Sequence, residues 1–150
     1  MKVHGIAGVQ GLAGNTLGPT DWHEVTQAEV NTFADATGDH QWIHTDPERA
    51  ATGPFGGTIA HGYLTLSLII PLWTDLLEIV DITMGVNYGL NKVRFPTPVP
   101  VGGKVRLRAY LAAVDTLDEN SIQTTVDFTM ELEGNDKPAV AAQALYRYYA

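Results

Sequence analysis

The hydrophobic period of this sequence changes abruptly, and that change restricts the possible folds more than any other feature. His61-Gly62-Tyr63-Leu64-Thr65-Leu66-Ser67-Leu68-Ile69-Ile70-Pro71-Leu72-Trp73 is apolar almost all round. A helix without a polar stripe belongs inside a domain, enclosed on nearly every side. Starting near Ile59, about sixteen residues at 1.5 Å each span roughly 24 Å, the thickness of a small domain. Pro71 is expected to kink this helix or to open its last turn, because proline has no N–H and its ring crowds the turn before it. Tyr63, Leu66, Ile70 and Trp73 read as core. The run is interrupted by Pro71 and Asp75, and it is too short to cross a bilayer.

Beyond the helix the period falls to two. Val86, Tyr88 and Leu90 alternate with Asn87, Gly89 and Asn91 before Val93-Arg94-Phe95, and Pro96, Pro98 and Pro100 close that strand. Val105, Leu107, Ala109 and Leu111 oppose Lys104, Arg106, Arg108 and Tyr110. Ile122, Val126, Phe128, Met130 and Leu132 oppose Gln123, Thr125, Asp127, Thr129 and Glu131, and Val140, Ala142, Ala144, Tyr146 and Tyr148 form the last set. Turn residues separate these runs at 115–120 and 133–137. Alternation on one face predicts an antiparallel sheet covered on one side. The expected fold is α+β: a four-strand meander curved around one central helix, in a single domain over 1–150.

Upstream of the helix the pattern is looser. Residues 4–20 are glycine-rich and lack a period, which suits loop or edge structure, and Asp21–Val25 suits a short strand. Thr26-Gln27-Ala28-Glu29 has the form of a capping box, and a helix over 27–37 follows, with Gly38 as its stop. Gly38 to Thr58 is irregular. Asp46 can cap a short turn with Pro47 in its first position, and Gly53-Pro54 and Gly56-Gly57 punctuate the rest. Long loops in compact domains are usually functional or disordered. Trp42, Ile43, Phe55 and Ile59 can pack this one down, which favours function. It carries Asp39 and His44, an acid and a histidine five positions apart, just ahead of the apolar helix.

Charge and composition exclude some classes. A net charge of −8 argues against nucleic-acid partners, whose binding depends on neutralising phosphates. The N-terminus lacks a signal peptide's apolar segment and there is no cysteine, so a cytoplasmic location without disulfides or thiolate metal sites is expected. Five of the nine basic residues, Lys92, Arg94, Lys104, Arg106 and Arg108, fall between 92 and 108 with no acid among them. They form either a solvated strand face or a landing site for a phosphate-bearing ligand.

Gly38-Asp39 followed by His44, Asp46-Pro47 and Ala50-Ala51, with His61-Gly62 opening an apolar helix, resembles the MaoC-like dehydratases. These include the (R)-specific enoyl-CoA hydratases, also called hydratase 2. Arg94-Phe95-Pro96-Thr97-Pro98-Val99 with Gly102 or Gly103 is similar to the family's next landmark, and Gln41-Trp42-Ile43-His44 resembles the nodulation protein N branch. The resemblance covers about residues 20–149. It implies the hotdog fold, a homodimer with active sites near the interface, and an acyl-CoA or acyl-carrier-protein thioester as substrate. Many hydratase 2 members have Asn-Pro where this chain has Gln41-Trp42, and Ser67 matches no family hydroxyl well enough to receive a role.

Adding water across an enoyl thioester needs a base for water, an acid for the α-carbon and donors for the carbonyl. The resemblance assigns Asp39 and His44 to one shared water, with the division of acid and base left open. Gly62 becomes the candidate carbonyl donor, since free amides at a helix start favour developing negative charge. His61 reads as a structural residue anchoring that helix start. Arg94 and Lys92 are the candidate contacts to substrate phosphates. The chemistry calls for no metal and no cofactor; no cysteine is present and no histidine pair sits at i, i+4 on a helix. Two other readings stay open: an acyl-thioester hydrolase on the same fold, which would release a free thiol, and a non-catalytic acyl-CoA binding module, which would show no turnover.

Overall fold

A computed structural model describes all 150 residues. The chain opens with β1 (Lys2–His4), α1 (Gly5–Gln10), β2 (Thr16–Leu17) and β3 (His23–Glu24). Helix α2 (Gln27–Thr37) follows, then the short turns α3 (Trp42–Thr45) and α4 (Pro47–Ala51). The apolar segment forms α5 (Gly62–Ser67) and α6 (Ile69–Leu76). The rest is β4 (Glu78–Val80), β5 (Met84–Arg94), β6 (Lys104–Asp118), β7 (Ser121–Leu132) and β8 (Val140–Tyr149).

Local chemistry sets the start of the irregular segment. The capping box ahead of α2 is complete: Glu29 N donates to Thr26 Oγ1 at 3.2 Å, and Thr26 N donates to a Glu29 carboxylate oxygen at 2.8 Å. The helix ends at Gly38, whose φ of +79° lets its N–H turn back to Ala34 O at 2.8 Å. Asp46 caps α4 by accepting from Arg49 N at 3.0 Å, with Pro47 in the first position.

Strands β6, β7 and β8 form consecutive antiparallel hairpins, and their inward residues supply most of the core. Strand β5 departs from the expected meander. It pairs with β8, so the order is β2-β6-β7-β8-β5, and β3 pairs with β6 beside β2. The cause lies in 95–103. Pro96, Pro98 and Pro100 have no N–H to continue a ladder, and the segment runs across the end of the fold. There Ala60 N donates to Val99 O at 2.8 Å and Val101 N to Thr58 O at 2.9 Å. The β5–β6 connection therefore braces the irregular segment instead of making a hairpin.

The central helix is broken at Leu68, between α5 and α6. Pro71 cannot donate to Ser67 O, and its ring crowds that carbonyl, so the kink falls one turn earlier. The helix is also less enclosed than its composition suggests. Leu64, Ile69, Leu72 and Trp73 join the core with the sheet, and Trp73 meets Phe128 edge-on at 5.4 Å and donates to the Tyr148 hydroxyl at 3.2 Å. Leu66 is half-buried, however, and Tyr63 and Ile70 are 72% and 42% exposed. One six-stranded sheet covers one side of this helix and leaves the other apolar side bare. Even so, a curved antiparallel sheet around a central helix is the hotdog arrangement. No helix is long and apolar enough to cross a membrane.

Candidate active site

Three polar side chains from the irregular segment converge beside the start of α5. Asp39 sits between α2 and α3, His44 on α3, and His61 immediately before α5. One carboxylate oxygen of Asp39 and one ring nitrogen from each histidine lie within 4.8 Å of one another. No other side chains bring three potential metal ligands this close. The two imidazoles stack at 3.9 Å between centroids, and Phe33 closes on His61 at 4.9 Å.

Each group is held by backbone. His44 Nδ1 donates to Ile59 O at 2.7 Å, which leaves Nε2 of the neutral ring as a proton acceptor. His61 Nε2 donates to the backbone carbonyl of Asp39 at 2.9 Å and lies 4.0 Å from its carboxylate. Gln41 N donates to Asp39 Oδ1 at 3.4 Å, an Asx-type turn that orients the carboxyl group. A second strap lies behind His44. Gln27 Nε2 donates to His44 O at 2.7 Å, and the buried Thr58 hydroxyl donates to Gln27 Oε1 at 2.7 Å. Gln27 and Thr58 carry no motif, and nothing in the sequence marks them as partners 31 residues apart.

His44 and Gly62 line a cavity of about 380 Å³ whose walls include Phe55, Ile59, Phe95 and Val99. Gly62 is the first residue of α5, and a Cβ there would lie 3.3 Å from the Phe95 ring, so a side chain would narrow the cavity. Asp39 is 52% exposed and is not part of this wall. A second cavity of about 400 Å³ shares Phe55, Ile59, Thr97 and Pro98 with the first and opens toward Lys104.

The basic cluster does not survive folding as one patch. Arg106 and Arg108 both donate to Glu131 on β7, Arg108 at 2.6 Å, so a cross-strand acid invisible in the local sequence ties both down and offsets part of their charge. Arg106 also lies over the Trp22 ring. Lys92 and Arg94 lie on β5 at the other side of the sheet and line a separate groove with Asp127, Thr129 and Gln143. Within one chain that groove shares no residue with the His44 cavity.

A family model described as the MaoC like domain matches residues 9–132. The chain belongs to the MaoC-like family. Among its MaoC-like relatives, the 3-hydroxyacyl-thioester dehydratase Z of Mycobacterium tuberculosis (strain H37Rv) is 52% identical over 145 residues, covering 97% of this chain and 96% of the relative. Nodulation protein N of Rhizobium leguminosarum bv. viciae is 45% identical, covering 91% of this chain and 86% of its own length. Among solved structures, the (R)-hydratase from A. caviae involved in PHA biosynthesis superimposes with a TM-score of 0.68 at 25% identity, covering 89% of this chain and 94% of that one.

Proposed function

We propose that this MaoC-like chain catalyses the (R)-specific hydration of trans-2-enoyl thioesters, or the reverse dehydration of 3-hydroxyacyl thioesters, in fatty acid metabolism. The observation that carries the reading is the Asp39–His44 pair beside an apolar cavity. An oxygen and a nitrogen within 4.8 Å can share one water, because each hydrogen bond to it takes roughly 2.8 Å. That water directs one hydrogen to the Asp39 carboxylate and the other to His44 Nε2, and a lone pair faces the substrate's β-carbon. As the C–O bond forms, one residue of the pair takes a proton from the water. The pair then delivers one proton to the α-carbon on the same side, so that it ends as it began, and the product keeps its thioester. Dehydration runs the same steps backwards. Gly62 N–H, at the start of α5, is the donor we assign to the thioester carbonyl as it becomes enolate-like. No metal enters these steps.

The cavity wall of Phe55, Ile59, Phe95 and Val99 suits the acyl portion. The carrier, coenzyme A or a carrier protein, would present phosphate outside it. Lys92 and Arg94 are our assigned contacts for that phosphate. Lying on a sheet edge outside their own chain's His44 cavity, they fit better as contacts to a neighbouring subunit's substrate.

A homodimer is part of the proposal. Strand β5 pairs with β8 on one side only, and an eleven-residue strand with an open edge is rarely left unprotected. Tyr88 and Leu90 on β5, with Tyr63 and Ile70 on the helix, are exposed apolar residues. A second copy paired across β5 by a two-fold axis would continue the sheet and cover these side chains. A cytoplasmic location completes the reading.

The test is purified protein with crotonyl-CoA and longer trans-2-enoyl-CoAs, following loss of enoyl absorbance and product chirality. The expected result is an (R)-3-hydroxyacyl-CoA with the thioester intact. Free thiol without hydration would replace the reading with a hydrolase, and binding without turnover would replace it with a binding module.

A further inference from the structure

His61 is buried to 2% exposure, yet its ring is used in an unusual way. Nε2–H is committed to the Asp39 carbonyl, so Nδ1 of the neutral ring is a bare acceptor, and it is the one buried side-chain polar atom in the structure with no partner. A residue needed only for volume would not be imidazole. Phenylalanine or leucine would fill comparable space without an unpaired acceptor, whose burial costs stability. Departures from local packing rules of this kind gather at functional sites.

The remaining contacts say what the ring does. Its N–H grips the backbone of the residue whose carboxylate serves the reaction, and its face lies against the residue that completes the pair, at 3.9 Å and 26° from parallel. Ile59 O holds His44 Nδ1 while the stacked ring lies against the face of the same imidazole. Phe33 backs His61 from another side. We infer that His61 is a positioning residue of the acid–base pair, tying the Asp39 backbone and the His44 ring to one rigid plate. The helix start gains no hydrogen bond from it, since the His61 side chain does not cap α5. This inference rests on the hydro-lyase reading above.

Three variants and one spectrum test it. His61→Phe keeps an aromatic ring for the stacking, in a somewhat larger side chain, but deletes the bond to Asp39 O. It should fold and dimerise, while kcat falls by about 100-fold, the cost of displacing a reacting group by about 1 Å. KM should change little. His61→Gln, which can still offer a donor to the Asp39 carbonyl, should recover much of that loss. In an Asp39→Asn background, His61→Phe should cost almost nothing more, because residues acting as one unit are non-additive. Wild-type kcat in a folded His61→Phe protein, or full additivity with Asp39→Asn, overturns the inference. Imidazole nitrogen NMR supplies a readout independent of turnover: His61 should show the Nε2–H tautomer and His44 the Nδ1–H tautomer. A His61 ring carrying its proton on Nδ1 would sink the proposal even in an active enzyme. A wild type with the expected tautomers and no hydration of any enoyl-CoA would instead remove the hydro-lyase reading and this inference with it.

Discussion

The β6–β7–β8 sheet and the segment from Gly38 to His61 are built on different principles. In the sheet, side chains alternate between core and outer face along β7 and β8 and along β6 as far as Leu111, and backbone ladders hold the register. Many weak, redundant terms place each residue. The segment 38–61 has no such redundancy. His44 and His61 are each placed by a single side-chain bond to one carbonyl and the Asp39 carboxylate by one amide, with Gln27 and Thr58 as one strap behind. The sheet should therefore lose stability before it loses chemistry, and the segment should lose chemistry before stability.

The sharpest break is in the pair itself. Asp39→Asn and His44→Ala should each lower kcat by about 100- to 10,000-fold, the range of general acid–base contributions, with the double mutant little worse than either single. Both proteins should remain folded and bind acyl-CoA, since Asp39 is half-exposed and neither residue belongs to the apolar core. Rapid hydration by a folded Asp39→Asn protein would remove that residue from the mechanism.

Phe128 is the opposite case. It is 2% exposed and touches Trp73 and Tyr146 edge-on. Phe128→Ala should cost about 3–5 kcal/mol by denaturant titration, while kcat per folded molecule stays near wild type. A selective loss of kcat without loss of stability would erase the contrast between the two regions.

The same contrast explains what could be read from sequence. The sheet's inward and outward faces follow from period two, the α2 boundaries from the capping box and Gly38, and the α4 start from Asp46-Pro47, because each depends on neighbours within a few residues. Strand β5's partner did not follow, since its pairing is decided by prolines that prevent a hairpin and by β8, about fifty residues later. Exposure of Tyr63 and Ile70 was hidden because composition reports that a face is apolar, not whether one chain covers it. Asp39 and His44 stood out as residue types at a known spacing. The bond from His61 to Asp39 O, and Gln27 and Thr58 behind His44, were not legible: side-chain-to-carbonyl bonds leave no periodic trace. Glu131 between two arginines was missed because strand register, not local spacing, brings the three together.

Gln27, on α2, straps two points of the segment 38–61 together and should show a mixed effect. Gln27→Ala leaves the buried Thr58 hydroxyl without its acceptor and His44 O without its donor. About 1–3 kcal/mol of stability should go with an unsatisfied buried pair. A kcat loss of about 10-fold is expected, smaller than for a reacting group because the strap acts one bond away. Stability loss with unchanged kcat would show that His44 is held by Ile59 alone.

The smallest effect belongs to Glu131, which lies on the outer face of the sheet away from the site. Burial pushes its carboxyl up, but the hydrogen bonds from Arg106 and Arg108 outweigh burial and hold it below the ordinary value. A folded-state value below the unfolded one means that the native protein binds the proton less readily than the unfolded chain does. The resulting stabilisation is fully present above the ordinary glutamate range and is lost as pH falls through the depressed folded value. Solvent reaches all three side chains, with 28–42% exposed, so screening trims the gain. Glu131→Gln should thus cost only about 1 kcal/mol at neutral pH, and added salt should reduce the difference. Urea midpoints for the two proteins should converge as pH is lowered through the depressed folded value, below which the wild-type carboxyl also carries a proton. The hydration rate should not respond, because the ion pairs share no residue with the His44 cavity. A gap in midpoint that persists in acid would mean that Glu131 contributes through packing and not through its charge.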